Sequence, residues 1–147
     1  MTSETASPIV SNSQRSNPMR KSPLTRLNVL VAEDSLLNQR FAVRLLEAAG
    51  HAVTLAANGL EALEALRHND FDLVLMDVEM PEMDGITATQ AIRAEEKVGT
   101  RVPIVAVTAT GDRAACLDAG MDDWLPKPLS LSRLNQTLEK VIAKTAA

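Results

Sequence analysis

The stretch LVLMDVEMPEMDG, residues 73–85, contains a run of apolar residues that ends in a carboxylate, Asp77. The run is short enough for a β-strand, and its apolar residues are continuous, which is typical of a strand covered on both faces. Pro81 and Gly85 follow it, and a helical pattern begins directly after them. The stretch therefore predicts a buried strand whose acidic end leads through a tight loop into a helix.

Four further apolar runs, at residues 27–32, 52–57, 103–107 and 122–125, predict the other strands, with 72–77 as the third of five. Helical stripes lie between them, formed by Leu37, Phe41, Leu45 and Leu46 and then by Leu60, Leu63 and Leu66. We also expect helices at 86–96 and 131–144 and a short one at 112–119, with stops at Gly50, Asn69–Asp70 and Gly120. Alternating strands and helices predict a doubly wound α/β domain with a parallel sheet and helices on both faces.

The composition of the 147 residues narrows the class of protein. A content of 46% hydrophobic and 23% charged residues suits one globular domain, and no apolar run approaches the ~20 residues that cross a bilayer. Membrane insertion is therefore not expected. With two Phe, one Trp and no Tyr, the chain lacks a stacking platform for single-stranded nucleic acid, so direct nucleic-acid binding is not expected either. The single cysteine, Cys116, precludes an internal disulfide and fits a cytoplasmic protein.

Residues 1–26 differ from the remainder of the chain. They are rich in Ser, Thr, Asn and Pro and carry four basic residues against one acidic residue, a net charge of +3. The other 11 basic and 18 acidic residues give the remainder a net charge of −7. We expect a flexible arm or linker at 1–26 and the folded domain at 27–147. A secretory signal is excluded because the arm has no apolar core segment, whereas an organelle transit peptide stays an alternative interpretation.

Polar residues follow the predicted strands at one edge of the sheet, where doubly wound folds bind their ligands. Glu33 and Asp34 end the first strand, Asp77 the third and Thr108 the fourth, and Lys127 follows the fifth. Clustered carboxylates repel one another unless they share a cation, and Mg²⁺ suits such oxygen ligands. With the ion bound, a carboxylate can attack a phosphoryl group to give an acyl phosphate, while the lysine and the threonine bind its oxygens.

Four motifs at these strand ends resemble the receiver (CheY-like) domain of response regulators in two-component systems. They are VLVAEDSLLNQR at 29–40, LVLMDVEMPEMDG at 73–85, VTA at 107–109 and AGMDDWLPKPL at 119–129. The resemblance covers residues 27–144 and implies a flavodoxin-like, five-stranded sheet in the order 2-1-3-4-5. The GMDDWLPKPL string at 120–129 is most similar to receivers of hybrid sensor histidine kinases.

The resemblance assigns a role to each matching residue. It implies that Asp77 is the phosphoacceptor, acting with Thr108 and Lys127. The Mg²⁺ ligands would be Glu33, Asp34, Asp77 and the backbone carbonyl of Glu79. Thr108 and Trp124 would form the conformational switch, Pro81, Gly85 and Pro128 would shape the loops, and the peptide bond before Pro128 would be cis.

The chain departs from the family pattern at two places, and the Glu79 side chain is predicted to have a separate role. The segment from Thr108 to Cys116 is about three residues shorter than usual, so we expect a shortened fourth helix and an altered signalling surface. Trp124 stands where a smaller aromatic or His is commoner, and its indole is bulky enough to be held in one orientation. The Glu79 side chain lies beside the expected acyl phosphate, so we predict that it sets the lifetime of that group.

The remaining reactive residue types receive structural interpretations. His51 and His68 are predicted at the surface, and Cys116 as a small buried residue. The thioethers of Met76, Met80, Met83 and Met121 do not suit Mg²⁺, so core or loop packing is expected for them.

The predicted function is a signalling receiver that takes a phosphoryl group from a phosphohistidine of a histidine kinase or histidine phosphotransfer protein. It would relay the signal to a further protein partner and catalyse only its own phosphorylation and dephosphorylation. Because the sequence ends soon after the fifth helix, a stand-alone regulator and an excised domain of a hybrid kinase are both expected forms. Two alternatives stay open, a docking module independent of phosphorylation and a hydrolase that uses Asp77 as a transient nucleophile.

Overall fold

The computed structural model describes residues 26–110 and 112–146, with side chains up to residue 141. The predicted arm at 1–26 lies outside these residues except for Arg26. Five strands are present, β1 (Asn28–Ala32), β2 (Ala52–Ala56), β3 (Leu73–Asp77), β4 (Ile104–Thr108) and β5 (Asp123–Pro126). Five helices alternate with them, α1 (Leu36–Ala48), α2 (Gly59–His68), α3 (Gly85–Glu95), α4 (Arg113–Ala119) and α5 (Leu131–Ala146).

All strand pairs are parallel, and the order across the sheet is β2-β1-β3-β4-β5. This confirms the doubly wound fold with the order 2-1-3-4-5. Most ends of the predicted strands differ from the observed ends by one residue. Thr108 is the last residue of β4, whereas the predicted strand ends at residue 107. No described helix has the length and apolar content needed to cross a membrane.

Two apolar cores cover the two faces of the sheet. On one face, Ala42 and Leu46 of α1 and Leu134 and Leu138 of α5 pack against the strands. On the other face lie α2, α3 and α4. Every residue of β3 and β4 is buried, as the continuous apolar runs predict, and each buried Val or Leu side chain stabilises the fold by about 1.5–3 kcal/mol.

Side-chain caps fix the starts of all five described helices, which positions the loops at the strand ends. Ser35, Asn58, Asp84, Asp112 and Ser130 each accept a hydrogen bond from the backbone three residues later. Such a cap stabilises a helix by about 1 kcal/mol. The cap of α1 is therefore Ser35, which leaves the Asp34 carboxylate exposed and free of that role.

The α1 stripe departs from the prediction in its first half. Ala42 and Leu46 are buried, but Leu37 is 77% exposed and Phe41 is 44% exposed. Neither residue belongs to the apolar core that α1 shares with the sheet. They face solvent on the side of the molecule where the acidic strand ends lie.

Helix α4 has seven residues, which confirms the predicted shortening. Gly120 ends it at φ +111°, and an added Cβ there would meet the Arg93 side chain. That arginine, only 13% exposed, donates to the Gly120 carbonyl at 2.9 Å and pairs with Glu96 and Asp122, both at 2.9 Å. This buried ion network connects α3 to the segment after α4. It therefore fixes the C-terminal end of α4, although that helix is too short to have a long packing face.

His51 is buried, with 3% exposure, so its predicted surface position is wrong. Its Nδ1 accepts a hydrogen bond of 3.1 Å from the Leu27 backbone, while its buried Nε2 has no hydrogen-bond partner among the described residues. The sequence misleads here because His51 comes directly after a helix-ending glycine, where chains usually return to the surface. The following strand instead begins beside Leu27 and draws the ring inward.

Acid should destabilise the domain through His51. Burial lowers the pKa of the imidazole in the folded state, so the unfolded chain binds the proton more tightly. The contribution of His51 to the free energy of unfolding is then fully present above the ordinary histidine pKa of about 6.5, and it decreases as the pH falls below that value. We expect His51→Asn, which keeps an acceptor for Leu27, to reduce the loss of urea midpoint between pH of about 7.5 and about 5.5. An equal loss in both proteins would contradict this assignment.

Candidate functional site

The carboxyl ends of β1, β3, β4 and β5 bring the predicted site residues to one edge of the sheet. Ala32 pairs with Met76, so Glu33 and Asp77 are the next residues of adjacent strands. Asp77 in turn lies opposite Val107, directly before Thr108. One carboxylate oxygen from each of Glu33, Asp34 and Asp77 falls within a group whose members are all within 4.8 Å of one another.

Lys127 connects two of these carboxylates. Its Nζ lies 3.0 Å from Asp77 Oδ2 and 3.0 Å from Glu33 Oε1. The Lys127 backbone N–H donates to the Thr108 carbonyl at 3.0 Å, which fixes the residue against the end of β4. The peptide bond from Lys127 to Pro128 is cis. The lysine is therefore held at the acidic edge by both its backbone and its charge.

The two buried carboxylates have different electrostatic environments. Burial raises the pKa of Asp77, and its ion pair with Lys127 only partly offsets that effect because Glu33 repels the charged form. Burial acts in the same direction on Glu33, but the Ser35 backbone N–H and Lys127 hold the pKa of Glu33 below its usual value. The surroundings therefore favour the charged form of Glu33 and disfavour the charged form of Asp77, so the two carboxylates are not equivalent.

Backbone donors orient both carboxylates. The Glu79 N–H donates to Asp77 Oδ1 at 3.1 Å, and the Ser35 N–H donates to Glu33 Oε2 at 3.0 Å. Gln39 was not predicted, yet its side chain donates to the Glu33 carbonyl at 2.6 Å. Its place one turn into the helix that follows the acidic pair is the sequence signal that identifies it.

The loop after Asp77 depends on the two small or rigid residues that the sequence singles out. A Cβ on Gly85 would collide with the Asp77 carbonyl oxygen, so only glycine lets α3 begin this close to the end of β3. The Gly85 N–H donates to the Val78 carbonyl at 2.9 Å. Pro81 accepts from the Met83 backbone at 2.7 Å across Glu82, which has φ +69°. The loop is thereby held in a compact turn beside the carboxylates.

Thr108 and Trp124 lie on neighbouring strands, β4 and β5, and on the same face of the sheet. Trp124 pairs with Ala106, and Thr108 lies two residues further along that face of β4. The indole is half-buried against the core formed with α2, α3 and α4, so it is held inward. Its Nε1–H is buried and donates to no partner within the part of the chain that the structure describes. The Thr108 hydroxyl is buried too and accepts from the Thr110 N–H at 3.3 Å.

The described methionines, Cys116 and His68 lie where the sequence predicts them. Met76 and Met121 are buried in the core, Met80 and Met83 pack beside it, and Cys116 is buried, as predicted. His68 is exposed and lies near Glu64 on α2, away from the acidic edge. The Glu79 side chain is exposed next to Asp77.

Comparisons with known proteins agree with this geometry. The family model of the response regulator receiver domain matches residues 29–139. The hybrid signal transduction protein dokA of Dictyostelium discoideum is 43% identical over 110 residues, which cover 75% of this chain and 7% of that protein. Among the first curated relatives, the chain spans between 4% and 16% of their length.

Solved structures show the same likeness. The receiver domain of the sensor histidine kinase PA1611 from Pseudomonas aeruginosa, with a magnesium ion coordinated in its active site cleft, has 40% identity and a TM-score of 0.73 over 81% of this chain and 99% of that one. A chain in the complex of the Saccharomyces cerevisiae phosphotransfer protein Ypd1 with the receiver domain of Ssk1 has 28% identity and a TM-score of 0.73, covering 83% and 92%. The acidic edge with its lysine, the 2-1-3-4-5 sheet and these matches lead to one conclusion: the chain belongs to the response regulator receiver domain family of two-component phosphorelay signalling.

Proposed function

We propose that residues 27–147 form a phosphorylation switch in which Asp77 accepts a phosphoryl group from a phosphohistidine. The observation that carries this proposal is the placement of Lys127 Nζ 3.0 Å from Asp77 Oδ2, on a carboxylate of raised pKa at the end of a buried strand. A cation held there is in reach of a phosphoryl oxygen once an acyl phosphate forms on Asp77.

The acidic cluster fits Mg²⁺. Three carboxylates with atoms within 4.8 Å of one another are hard oxygen donors, and their mutual repulsion favours a shared divalent cation. The residues that would hold it are Glu33, Asp34, Asp77 and the backbone carbonyl of Glu79. When bound, Mg²⁺ supplies charge neutralisation for the transferring phosphoryl oxygens.

The residues of the chain divide the transfer between them. A carboxylate oxygen of Asp77 attacks phosphorus, and an O–P bond forms while the N–P bond to the donor imidazole breaks. The imidazole nitrogen keeps the electron pair. The Glu79 N–H holds Asp77 Oδ1 during the attack, and Lys127 and Thr108 bind the equatorial phosphoryl oxygens. In a separate hydrolysis step, water attacks phosphorus and the O–P bond to Asp77 breaks, which releases inorganic phosphate and the free carboxylate.

The partner that supplies the phosphoryl group would dock on the exposed end of α1. Leu36, Leu37 and Phe41 are 68%, 77% and 44% exposed and lie on the helix that starts directly after Asp34. An apolar surface beside a charged site fits a donor protein that presents a histidine from a helix with an apolar face. The structural likeness to a receiver seen in complex with a phosphotransfer protein supports a histidine kinase or phosphotransfer protein as the donor.

A small phosphodonor tests the proposal without knowledge of the natural partner. The chain is incubated with phosphoramidate and Mg²⁺, and intact-protein mass spectrometry follows the gain of one phosphoryl group. We expect incorporation that requires the divalent ion and is lost on treatment with hydroxylamine, which cleaves the mixed anhydride of an acyl phosphate. A chain that stays unmodified would favour a docking module independent of phosphorylation, whereas rapid turnover of phosphate monoesters would favour a hydrolase.

Replacing Glu79 by Ala should lengthen the life of the acyl phosphate. The exposed carboxylate lies two residues after Asp77 and can accept a hydrogen bond from a water that approaches phosphorus. We expect dephosphorylation to slow roughly three- to tenfold, well below the effect of removing a true general base. The rate is measured by intact-protein mass spectrometry as the loss of the phosphoryl group over time. Glu47→Ala, on the exposed side of α1, is the control. An unchanged rate in Glu79→Ala would remove this role.

A further inference from the structure

A cavity of about 190 Å³ adjoins the phosphorylation site between α1 and the turn from β5 to α5. Its apolar walls are formed by Val31, Ala32, Phe41, Ala42, Leu75, Val107, Pro128 and Leu129. Four polar residues complete the lining, Glu33, Asn38, Asp77 and Lys127. The cavity therefore has an apolar interior that continues into the core and a polar rim that it shares with the site.

The size of this space defines what it can hold. Protein interiors are packed so closely that voids larger than a water are few, and an apolar cavity of about 150 Å³ accommodates benzene. A compact aromatic molecule somewhat larger than benzene, such as phenol or indole, therefore fits. Ala42, 3% exposed, presents only a methyl group to the space, so a larger side chain at this one position would occupy it.

The charge of the rim defines the class of ligand. In the absence of Mg²⁺, the state in which binding is titrated, Glu33 and Asp77 contribute two negative charges and Lys127 one positive charge, which leaves the rim with a net charge of −1. An anionic substituent would be repelled and would compete with the carboxylates for Lys127. A neutral substituent with a hydrogen-bond donor can instead meet the Asn38 carboxamide or a carboxylate oxygen.

We propose that this cavity is a binding site for a small neutral aromatic molecule carrying one hydrogen-bond donor, of about the size of phenol or indole. The hydrophobic effect drives its ring into the interior among Val31, Leu75 and Val107, which are part of the buried core. Its polar group remains at the rim.

Occupancy of the cavity regulates phosphorylation, a consequence that rests on the proposed function. Lys127, Pro128 and Leu129 form one wall, and the same Lys127 is paired with unmodified Asp77. A ligand packed against that wall favours the arrangement in which the pair is intact. The ligand slows phosphorylation of Asp77 because Lys127 must leave this pair to bind the phosphoryl group. Since coupling between binding equilibria is reciprocal, phosphorylation in turn weakens ligand binding.

Binding is tested by titrating ¹⁵N-labelled protein with phenol and with indole. We expect saturable amide shifts around Asn38, Ala42 and Leu129, intermolecular NOEs from the ring to the Ala42 methyl, and no binding of benzoate. Ala42→Leu should abolish the shifts while the spectrum stays dispersed, and Ala48→Leu, on the exposed end of the same helix, should leave them unchanged. If Ala42→Leu fails to fold, the NOEs in the unaltered protein decide the location. Absence of saturable shifts and NOEs, or equal binding of benzoate, would overturn the proposed site.

Regulation is tested by the rate of phosphorylation from phosphoramidate with and without saturating indole. We expect slowing of about fivefold or more, the low end of measured couplings between sites. The same indole concentration should have no effect on Ala42→Leu. Binding without slowing would overturn the regulatory claim, and no phosphorylation in the absence of indole would be a failure of the proposed function, not of the cavity. A further possible result is that Ala42→Leu slows transfer from a histidine phosphotransfer protein and that phenol and indole do not bind. This result would show that the cavity receives a side chain of the donor protein, and the small-molecule proposal would be wrong.

Discussion

Asp77→Asn is expected to lose all phosphorylation from phosphoramidate while the protein stays folded. The amide lacks the charged oxygen that attacks phosphorus. No other carboxylate of the cluster can replace it, since the equally buried Glu33 is held by Lys127 and the Ser35 backbone and Asp34 is exposed. Asn has nearly the shape of Asp, and its oxygen can still accept the Glu79 N–H. Because burial and Glu33 penalise the charged form of Asp77, a neutral side chain there does not destabilise the fold.

A matched substitution separates the chemistry from a general loss of negative charge. Asp70 is exposed, ahead of β3 and at the opposite end of the strand from Asp77, so Asp70→Asn changes the net charge equally. We expect normal phosphoryl incorporation in this control, measured as the mass gain of the intact protein. Incorporation at the full rate in Asp77→Asn would show that another residue is the acceptor.

Lys127→Met is expected to slow phosphorylation by about 100-fold, the loss that follows removal of one donor from a charge-stabilising site. Methionine keeps the length of the side chain but removes the ammonium group that lies 3.0 Å from both Asp77 and Glu33. Its loss also leaves the carboxylates without a protein cation, and their repulsion then favours a divalent ion. We therefore expect Mg²⁺ to raise the unfolding midpoint of Lys127→Met more than that of the unaltered protein.

The control for this variant is Lys140→Met on α5. Lys140 pairs with Asp123 at 3.3 Å but is 68% exposed, so it loses an ion pair in solvent without touching the acidic edge. Its phosphorylation rate should equal that of the unaltered protein. A rate in Lys127→Met within twofold of either would contradict the role of Lys127 at the phosphoryl group.

The sheet and its acidic edge follow from the sequence because both are local patterns. The apolar run before Asp77 is buried on both faces and leaves its first polar residue at the strand end, so the position of Asp77 is set by burial alone. Glu33 and Thr108 end their strands in the same way. The short α4 follows equally directly, since too few residues separate Thr108 from Gly120 for a longer helix.

Features that depend on what packs over an element could not be predicted. Leu37 and Phe41 continue the apolar period of α1, yet they are exposed because they lie outside the core that α1 shares with the sheet. His51 looks like a surface residue from its neighbours, and only the return of the chain beside Leu27 buries it. The space beside Ala42 is likewise a property of the assembled core, because it depends on how far Leu129 and Val107 reach towards α1.

We propose that phosphorylation of Asp77 is transmitted to Thr108 and Trp124. The most direct test is an NMR spectrum of the protein with Mg²⁺ before and after addition of beryllofluoride, which mimics the acyl phosphate, with Asp77→Asn as the control. We predict shifts of the Trp124 indole and of the Thr108 and Thr110 amides in the unaltered protein and none in the control. Shifts confined to the loop after Asp77, or no response at all, would contradict a phosphorylation-driven switch.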